Sequence, residues 1–355
     1  PAARCSSHED WLREYDMGRV LVVFKRVMQA IPTIVGIVII TFLLTRALPG
    51  DPAAFFAGPA ATPESIAEIR QQLGLDQPLP VQFGRYLLDL TRGDLGQSMT
   101  TGQPVMAELI RRLPASLELT LVALLLSMVI ALPLGILAAT HQDTWIDQVC
   151  RFVVTAGVSL PTFFTGLLLV YVFYFLLGWS PPPLGRLDIL YLPPTQVTGF
   201  YLIDALIAGE FDVFWSALKQ LALPAITLAL FTLAPLARMT RASMLQSLAS
   251  DYVRTARACG LSYGKVLRTY ALRNALLPVI TTLGMVFSFS LGANVLVEKV
   301  FSWPGIGSFA IEALVASDYA AVQGFVLAMA LLFVVLNLCV DLVYTLVDPR
   351  VKIDG

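Results

Sequence analysis

Charge is scarce in this chain: 14% of its 355 residues are Asp, Glu, Lys or Arg, while 57% are hydrophobic. A water-soluble fold of that composition needs a larger core than such a chain encloses, and the mean hydropathy of +0.73 points to an integral membrane protein. Histidine is nearly absent. His8 sits in the terminal run and His141 in a short loop, which leaves HExxH, a Ser-His pair and a histidine zinc site without their residues. The cysteines, Cys5, Cys150, Cys259 and Cys339, show no CxxC spacing, so neither a disulfide framework nor a metal site is expected. A phosphate loop of the form GxxxxGK[ST] is missing too. Its nearest approach, GLSYGKV at 260–266, has the wrong spacing and lacks the hydroxyl that ligates magnesium. An intramembrane protease or other enzyme is therefore a poor reading, and no catalytic residue or cofactor is expected in the chain itself. The formal net charge of -1 says little about partners, because in a membrane chain the information lies in where charges fall; no nucleic acid is expected.

What is present is a set of long apolar runs: 27–48, 115–139, 152–178, 218–236, 276–297 and 322–347. Each approaches the roughly 20 residues that cross about 30 Å of hydrocarbon. Lys25 and Arg26 precede the first run. Between the fourth and fifth, Arg238, Arg241, Arg254, Arg257, Lys265, Arg268 and Arg273 face one acid, Asp251. Such an excess beside membrane spans marks the cytosolic side, so the loop 238–275 and both terminal segments, 1–26 and 348–355, are expected in the cytosol. The first run is longer than a signal-peptide core and no A-x-A site follows it, which favours an uncleaved anchor. The polar run PAARCSSHEDWLREYD reads as an upstream extension, with Met17 as the candidate start.

The external loop 49–114 is long enough for structure of its own. Thr62 caps an expected helix that has Pro63 at its first position, Ile66, Ile69 and Leu73 on one face, and Gly74 as its stop. A second amphipathic piece runs over 81–90. These pieces either cover the tops of the spans or meet a soluble partner. The external loop 179–217 holds Pro181, Pro182, Pro183, Pro193 and Pro194 with Arg186 as its single basic residue, a rigid lid; 198–218 reads as a re-entrant, interfacial or plain surface helix.

Within the spans, the cores of the third, fourth and fifth contain no Asp, Glu, His, Lys or Arg, which speaks against a proton-driven carrier. Asp341, with Asn337 one turn earlier, is expected to bond neighbouring helices. Gly284, Ser288 and Gly292 recur every four positions, the spacing that lets two backbones approach, whether in this chain or in a second subunit. Pro161, beside Ser159, kinks the third span, as a hinge or as plain geometry.

The stretch DYVRTARACGLSYGKVLRTYALRNALLP at 251–278 is the most informative one. Asp251 opens a short amphipathic helix through Tyr252, Arg254, Ala256 and Arg257, and Gly260 sits where a helix ends in the left-handed conformation. This wording resembles the cytoplasmic coupling loop of permease subunits of bacterial ABC importers, in the dipeptide, oligopeptide and nickel branch, which reads close to DYVRTARAKGL. RALPGDPA at 46–53, LGLDQPLPVQFGRYL at 73–87 and GDLGQS at 93–98 are similar to the first permease subunit of that branch, the DppB/OppB type. So are TGFYLIDALIAGEFDVFWSAL at 198–218, KVFSWPGIGSFAIEAL at 299–314, DYAAVQG at 318–324 and NLCVDLVYTLVDPRVK at 337–352.

The resemblance runs from about Met17 onward. It implies an all-α membrane protein, type I ABC importer permease-like, with six transmembrane helices and a structured external loop after the first. The implied assembly pairs this chain with a second homologous permease, two ATP-binding subunits or domains that bind ATP and Mg, and an extracytoplasmic substrate-binding protein facing loop 49–114. Di- or oligopeptides are the implied cargo; nickel, glutathione or another small solute is the alternative, and a secondary transporter or channel has no use for a coupling loop. Asp251, Tyr252, Arg254, Ala256, Arg257 and Gly260 are the implied ATPase-coupling residues. Gly284, Ser288, Gly292, Ser159 and Pro161 are candidates for the pathway or subunit interface. The general motif EAAxxxG is not matched: Arg254 stands at its Glu position and Thr255 at its first Ala, and Arg273 stands where a later Pro is expected, so a Glu-mediated ATPase contact does not carry over.

Overall fold

The computed structural model describes residues 28–29, 31–43, 53, 57–58, 61–72 and 74–347, with side chains through 340. Among the described residues there is no β-strand, only one isolated bridge between Gln97 and Pro104. The helices in chain order are α1 (Ile31–Leu43), α2 (Pro63–Gln72), α3 (Leu79–Thr91), α4 (Val105–Thr140), α5 (Trp145–Val158) and α6 (Thr162–Leu169), which a wider turn extends over Val170–Leu176. They continue with α7 (Tyr201–Ala208), α8 (Phe211–Leu248), α9 (Asp251–Ala258), α10 (Tyr263–Val300), α11 (Ile306–Val315) and α12 (Tyr319–Val347).

The chain forms two compact units. The smaller comprises Pro1–Ala47 and Val326–Gly355, and the larger Leu48–Phe325. In the smaller unit α1 is apolar, with Val38 and Phe42 buried and the Thr41 hydroxyl donating back to the Ile37 carbonyl at 2.6 Å. The edges of the expected first span, both terminal segments and most of 46–53 lie outside the described residues.

Among the described residues four helices are long and apolar enough to cross a membrane: α4, α8, α10 and α12 over Tyr319–Val340. The expected third span is a correction: α5 and α6 form a pair bent by 96° at Ser159–Pro161, not one kinked rod. Pro161 has no N–H to continue the ladder, and the Ser159 hydroxyl turns back to the Thr155 carbonyl at 2.8 Å, so the chain breaks where the sequence placed a bend. Counting that pair as one gives five spans among the described residues, one short of six; the first expected span is described only as Ile31–Leu43.

Boundaries shift as well. The helix of the second span starts at Val105, because Glu108 pairs with Arg111 and Arg112 at 2.8 Å and keeps the charged turn helical. The fourth runs from Phe211 to Leu248 and takes in 238–248, which the charge pattern assigned to a loop. Thr240, Ser243, Met244 and Ser247 continue to bury one face there, and that face holds the helix. The 38-residue α8 and α10 are each about 57 Å long at 1.5 Å per residue, so both reach well beyond the hydrocarbon.

In the larger unit the core lies in three apolar layers. The first joins Ala115, Leu119, Leu228, Val297 and Trp303, the second Leu124, Ala131, Leu236 and Val286, and the third Ala139, Met244, Val253 and Ala275. Residue numbers rise through the layers on α4 and α8 and fall on α10. Thus α4 and α8 run parallel and α10 antiparallel to them. A Cβ on Gly135 would stand 2.5 Å from the Thr240 side chain, so glycine is what lets α4 and α8 meet.

Within the 49–114 segment the expected helix after Thr62 is present, as α2. The Ser65 N–H donates to the Thr62 hydroxyl at 3.3 Å as a helix cap, and Gly74 takes φ +65 at the stop. Leu73 lies outside the described residues.

Candidate functional site: a presented helix and a buried clamp

At the third-layer end, the chain leaves α8 at Leu248 and turns through Ser250 into α9. Val253 and Ala256, three apart, fall on one face and pack against Met244, Val266, Ala271 and Ala275. Asp251, Tyr252, Arg254 and Arg257 point away and are exposed. The helix stops in a crossed pair of hydrogen bonds: Gly260 N–H to the Arg257 carbonyl at 3.0 Å and Leu261 N–H to the Ala256 carbonyl at 3.3 Å. That closure requires a left-handed residue, and Gly260 has φ +77. Of the expected coupling residues Ala256 alone faces inward, where it anchors the helix. The Arg254–Asp251 pair, 3.5 Å apart with side chains 79% and 94% exposed, adds little stability. Arg257 lies 5.9 Å from the Tyr263 ring, which steers the guanidinium along the outer face. The arrangement presents a basic, aromatic surface at the joint between two 38-residue helices.

At the first-layer end the polar groups are buried. Glu298, which the sequence reading left just outside the fifth span, accepts from the Ser116 hydroxyl, from Asn294 Nδ2 at 2.9 Å and from the Ser308 N–H at 2.8 Å. The Trp303 indole donates to the Ala115 carbonyl at 2.9 Å. A Cβ on Gly305 would stand 2.3 Å from the Glu298 carboxylate, so the WPGIG turn needs glycine for close approach to this acid. Glu118 is held by Arg186 Nη2 at 2.5 Å and the Leu202 N–H at 2.9 Å, while the same arginine donates to the Gly199 carbonyl and stacks 3.4 Å above the Tyr201 ring. Asp318 accepts from Ser98 Oγ at 2.6 Å and Thr100 N–H at 3.0 Å, tying the turn before α4 to the start of α12. Burial pushes the Asp204 carboxyl up, but donors from Thr198 and Gly199 outweigh it and hold it below its ordinary value. The proline-rich loop is thus clipped to α4 by its single basic residue.

Glu118, Glu298 and Asp318 were not singled out from the sequence. A signal existed: Glu118 is the one acid in the run 115–139 and Arg186 the one base in 179–217, a complementary pair on adjacent segments. On α10, Gly284 is buried, Ser288 half-buried and Gly292 exposed with nothing within 4 Å of its would-be Cβ. The small-residue stripe therefore runs from this chain's interior out to its surface. Ser159 and Pro161 are exposed at the α5–α6 break; Asn337 is half-buried, and the Asp341 side chain lies outside the described ones.

Two family descriptions match: "Binding-protein-dependent transport system inner membrane component" over residues 131–353 and its N-terminal component over residues 17–120. Among curated relatives, a probable D,D-dipeptide transport system permease protein of Escherichia coli is 47% identical over 91% of this chain and 94% of its own. A dipeptide transport system permease protein of Alkalihalophilus pseudofirmus is 42% identical over 92% and 98%. An inward-facing structure of the MetNI methionine ABC transporter is similar at a TM-score of 0.49 and 15% identity, covering 68% of this chain and 97% of the other. The chain belongs to the family of binding-protein-dependent transport system inner membrane components, the permeases of ABC importers.

Proposed function

We propose that this permease carries di- or oligopeptides, forms half of the translocation pathway with a second homologous permease, and is driven through α9 by two ATP-binding subunits. The observation that carries the coupling reading is α9 itself. Its inner face, Val253 and Ala256, is fixed to the ends of α8 and α10, so force applied to Tyr252, Arg254 and Arg257 moves both helices, and α10 carries Glu298 of the buried clamp. ATP and Mg are then bound by the partners, and the chain itself is non-catalytic. Peptide cargo is supported by relatives at 42–47% identity whose names specify dipeptides. An extracytoplasmic binding protein would meet the clamp end, where α7 and α11 bond to Glu118 and Glu298.

The deciding experiment reconstitutes the assembled transporter with its binding protein and offers labelled L,L- and D,D-dipeptides, longer peptides, glutathione and Ni²⁺. Uptake of peptides alone supports the reading; uptake of glutathione or Ni²⁺ without peptides overturns it. Orientation has its own test: the charge pattern of the basic loop favours a cytosolic α9 and cytosolic termini. In a background without the native cysteines, Thr255→Cys should resist an impermeant thiol reagent in intact cells while Gln72→Cys reacts. The reverse pattern turns the chain over. The exposed Gly292 end of the small-residue stripe suits contact with the second permease. Ser288→Phe should therefore loosen the pair, at a cost of about 1–3 kcal/mol, and pairing of wild-type strength would assign that face to lipid.

A further inference from the structure

We propose that a cleft at the α9 end of the bundle binds the phosphodiester headgroup and first acyl carbons of an anionic glycerophospholipid. The cleft, of about 270 Å³, opens between α4, α5 and α8. Leu134, Ala138, Val154 and Ala237 make an apolar wall, and Arg151, Arg238 and Arg241 stand along it; no acidic residue lines it.

The charges nearby are already apportioned. Behind the cleft Asp147 is fully buried and takes a bidentate contact from Arg241, Nε at 2.8 Å and Nη2 at 2.7 Å, with Arg151 Nε at 3.6 Å. The exposed Asp143 is the other acid close enough to act on Arg241. Arg241 is therefore a fixed strut. Arg238 is exposed and forms no ion pair among the described residues, and Arg151, 55% exposed, touches Asp147 at the outer limit of pairing distance. These two guanidiniums keep donors for a phosphate, and the planar fork of arginine suits its oxygens.

Position selects the source of that phosphate. Leu134 and Ala138 lie in the last turns of the second apolar run, and Arg238 stands two residues past the fourth, so the cleft lies at the depth where hydrocarbon gives way to headgroups. Beside the cleft, α5 exposes Trp145 at 73% and Phe152 at 74%, the aromatic face of a helix lying at a membrane interface. Free phosphate has no use for the apolar wall. A lipid uses both parts.

The proposal does not depend on which solute is carried. Its test purifies the assembled transporter from cells in mild detergent and counts retained phospholipids by mass spectrometry. Wild-type complex should retain anionic phospholipid selectively over zwitterionic, and Arg151→Gln/Arg238→Gln should lose it by roughly thirtyfold, at about 1 kcal/mol for each arginine. Arg238→Lys, which keeps the charge and loses the fork, should fall between. Equal retention by wild type and double variant, or displacement of the lipid by inorganic phosphate alone, overturns the site. A second measurement stands even if the double variant does not assemble: wild-type complex in nanodiscs with photoreactive phosphatidylglycerol should be labelled within 145–158 or 234–241. Labelling only elsewhere, or protection of an Arg238→Cys thiol by the ATP-binding subunits and not by lipid, overturns it as well.

Discussion

At one end of the α4–α8–α10 bundle Glu118, Arg186, Glu298 and Asp318 are buried and hydrogen-bonded; at the other, Asp251, Arg254 and Arg257 stand in the open on a helix held by two small apolar side chains. The same residue types serve opposite purposes. A buried charge costs several kcal/mol to desolvate, so it persists only where geometry satisfies it, and in satisfying it the surrounding loops become fixed. An exposed charge constrains little within its own chain and stays free to meet another surface. One end therefore sets shape; at the other the pair of buried Asp147 with Arg241 fixes α5 to α8 while α9 offers contact, with α8 and α10 joining the two ends.

The largest expected effect breaks the first end. Arg186→Leu leaves the Glu118 carboxylate buried with only the Leu202 N–H, and loss of one partner of a buried pair typically costs about 3–5 kcal/mol. The amount of assembled complex and its thermal midpoint should both fall. Replacing both partners, Glu118→Met with Arg186→Leu, should recover most of that loss, since an apolar pair leaves no stranded charge. If the single variant is as stable as wild type, the loop 179–200 is not clipped through this pair and the contrast between the ends collapses.

A smaller effect is expected at Gly260. Valine there is forced to φ near +77 at a cost of about 1–3 kcal/mol, and since no atom lies within 4 Å of the added Cβ the whole cost is backbone strain. The strain falls on the closure of α9, far from the clamp. Membrane insertion and assembly should survive while substrate-stimulated ATP hydrolysis and uptake fail together. Asparagine, which tolerates the left-handed region better, should retain more activity than valine. Normal uptake by Gly260→Val removes the helix closure from coupling.

How much of this was legible in the sequence follows from the physics of each end. The presented helix was readable because it obeys local rules: Asp251 at its start, Val253 and Ala256 three apart, Gly260 at its stop. The clamp was not, because Glu298 finds Ser116 across 182 positions and Asp318 finds Ser98 across 220, and no periodicity encodes such pairings. Span boundaries slipped for a related reason. Hydropathy marks where lipid ends, but Thr240, Ser243 and Met244 keep α8 helical by burying against protein. The proline at 161 announced a disturbance, and its size, 96°, depended on how α5 and α6 pack separately on α8.

The smallest expected effect separates presentation from stability most cleanly. Arg254 is 79% exposed, and its one ion pair, with an equally exposed Asp251, is of the kind that contributes about 0–1 kcal/mol. Arg254→Ala should leave the thermal midpoint and the yield of complex at wild-type values, since alanine is also a better helix former than arginine and offsets part of the lost pair. ATP hydrolysis by the partners should nonetheless become less responsive to substrate, because a partner surface that meets α9 loses a cation it had matched. Arg254→Lys, which keeps the charge and loses the fork, should fall between. A loss of assembly as large as that of Arg186→Leu would mean that Arg254 is part of the chain's own architecture; an unchanged response to substrate would mean that the ATP-binding subunits reach the permease through Tyr252 and Arg257 without it.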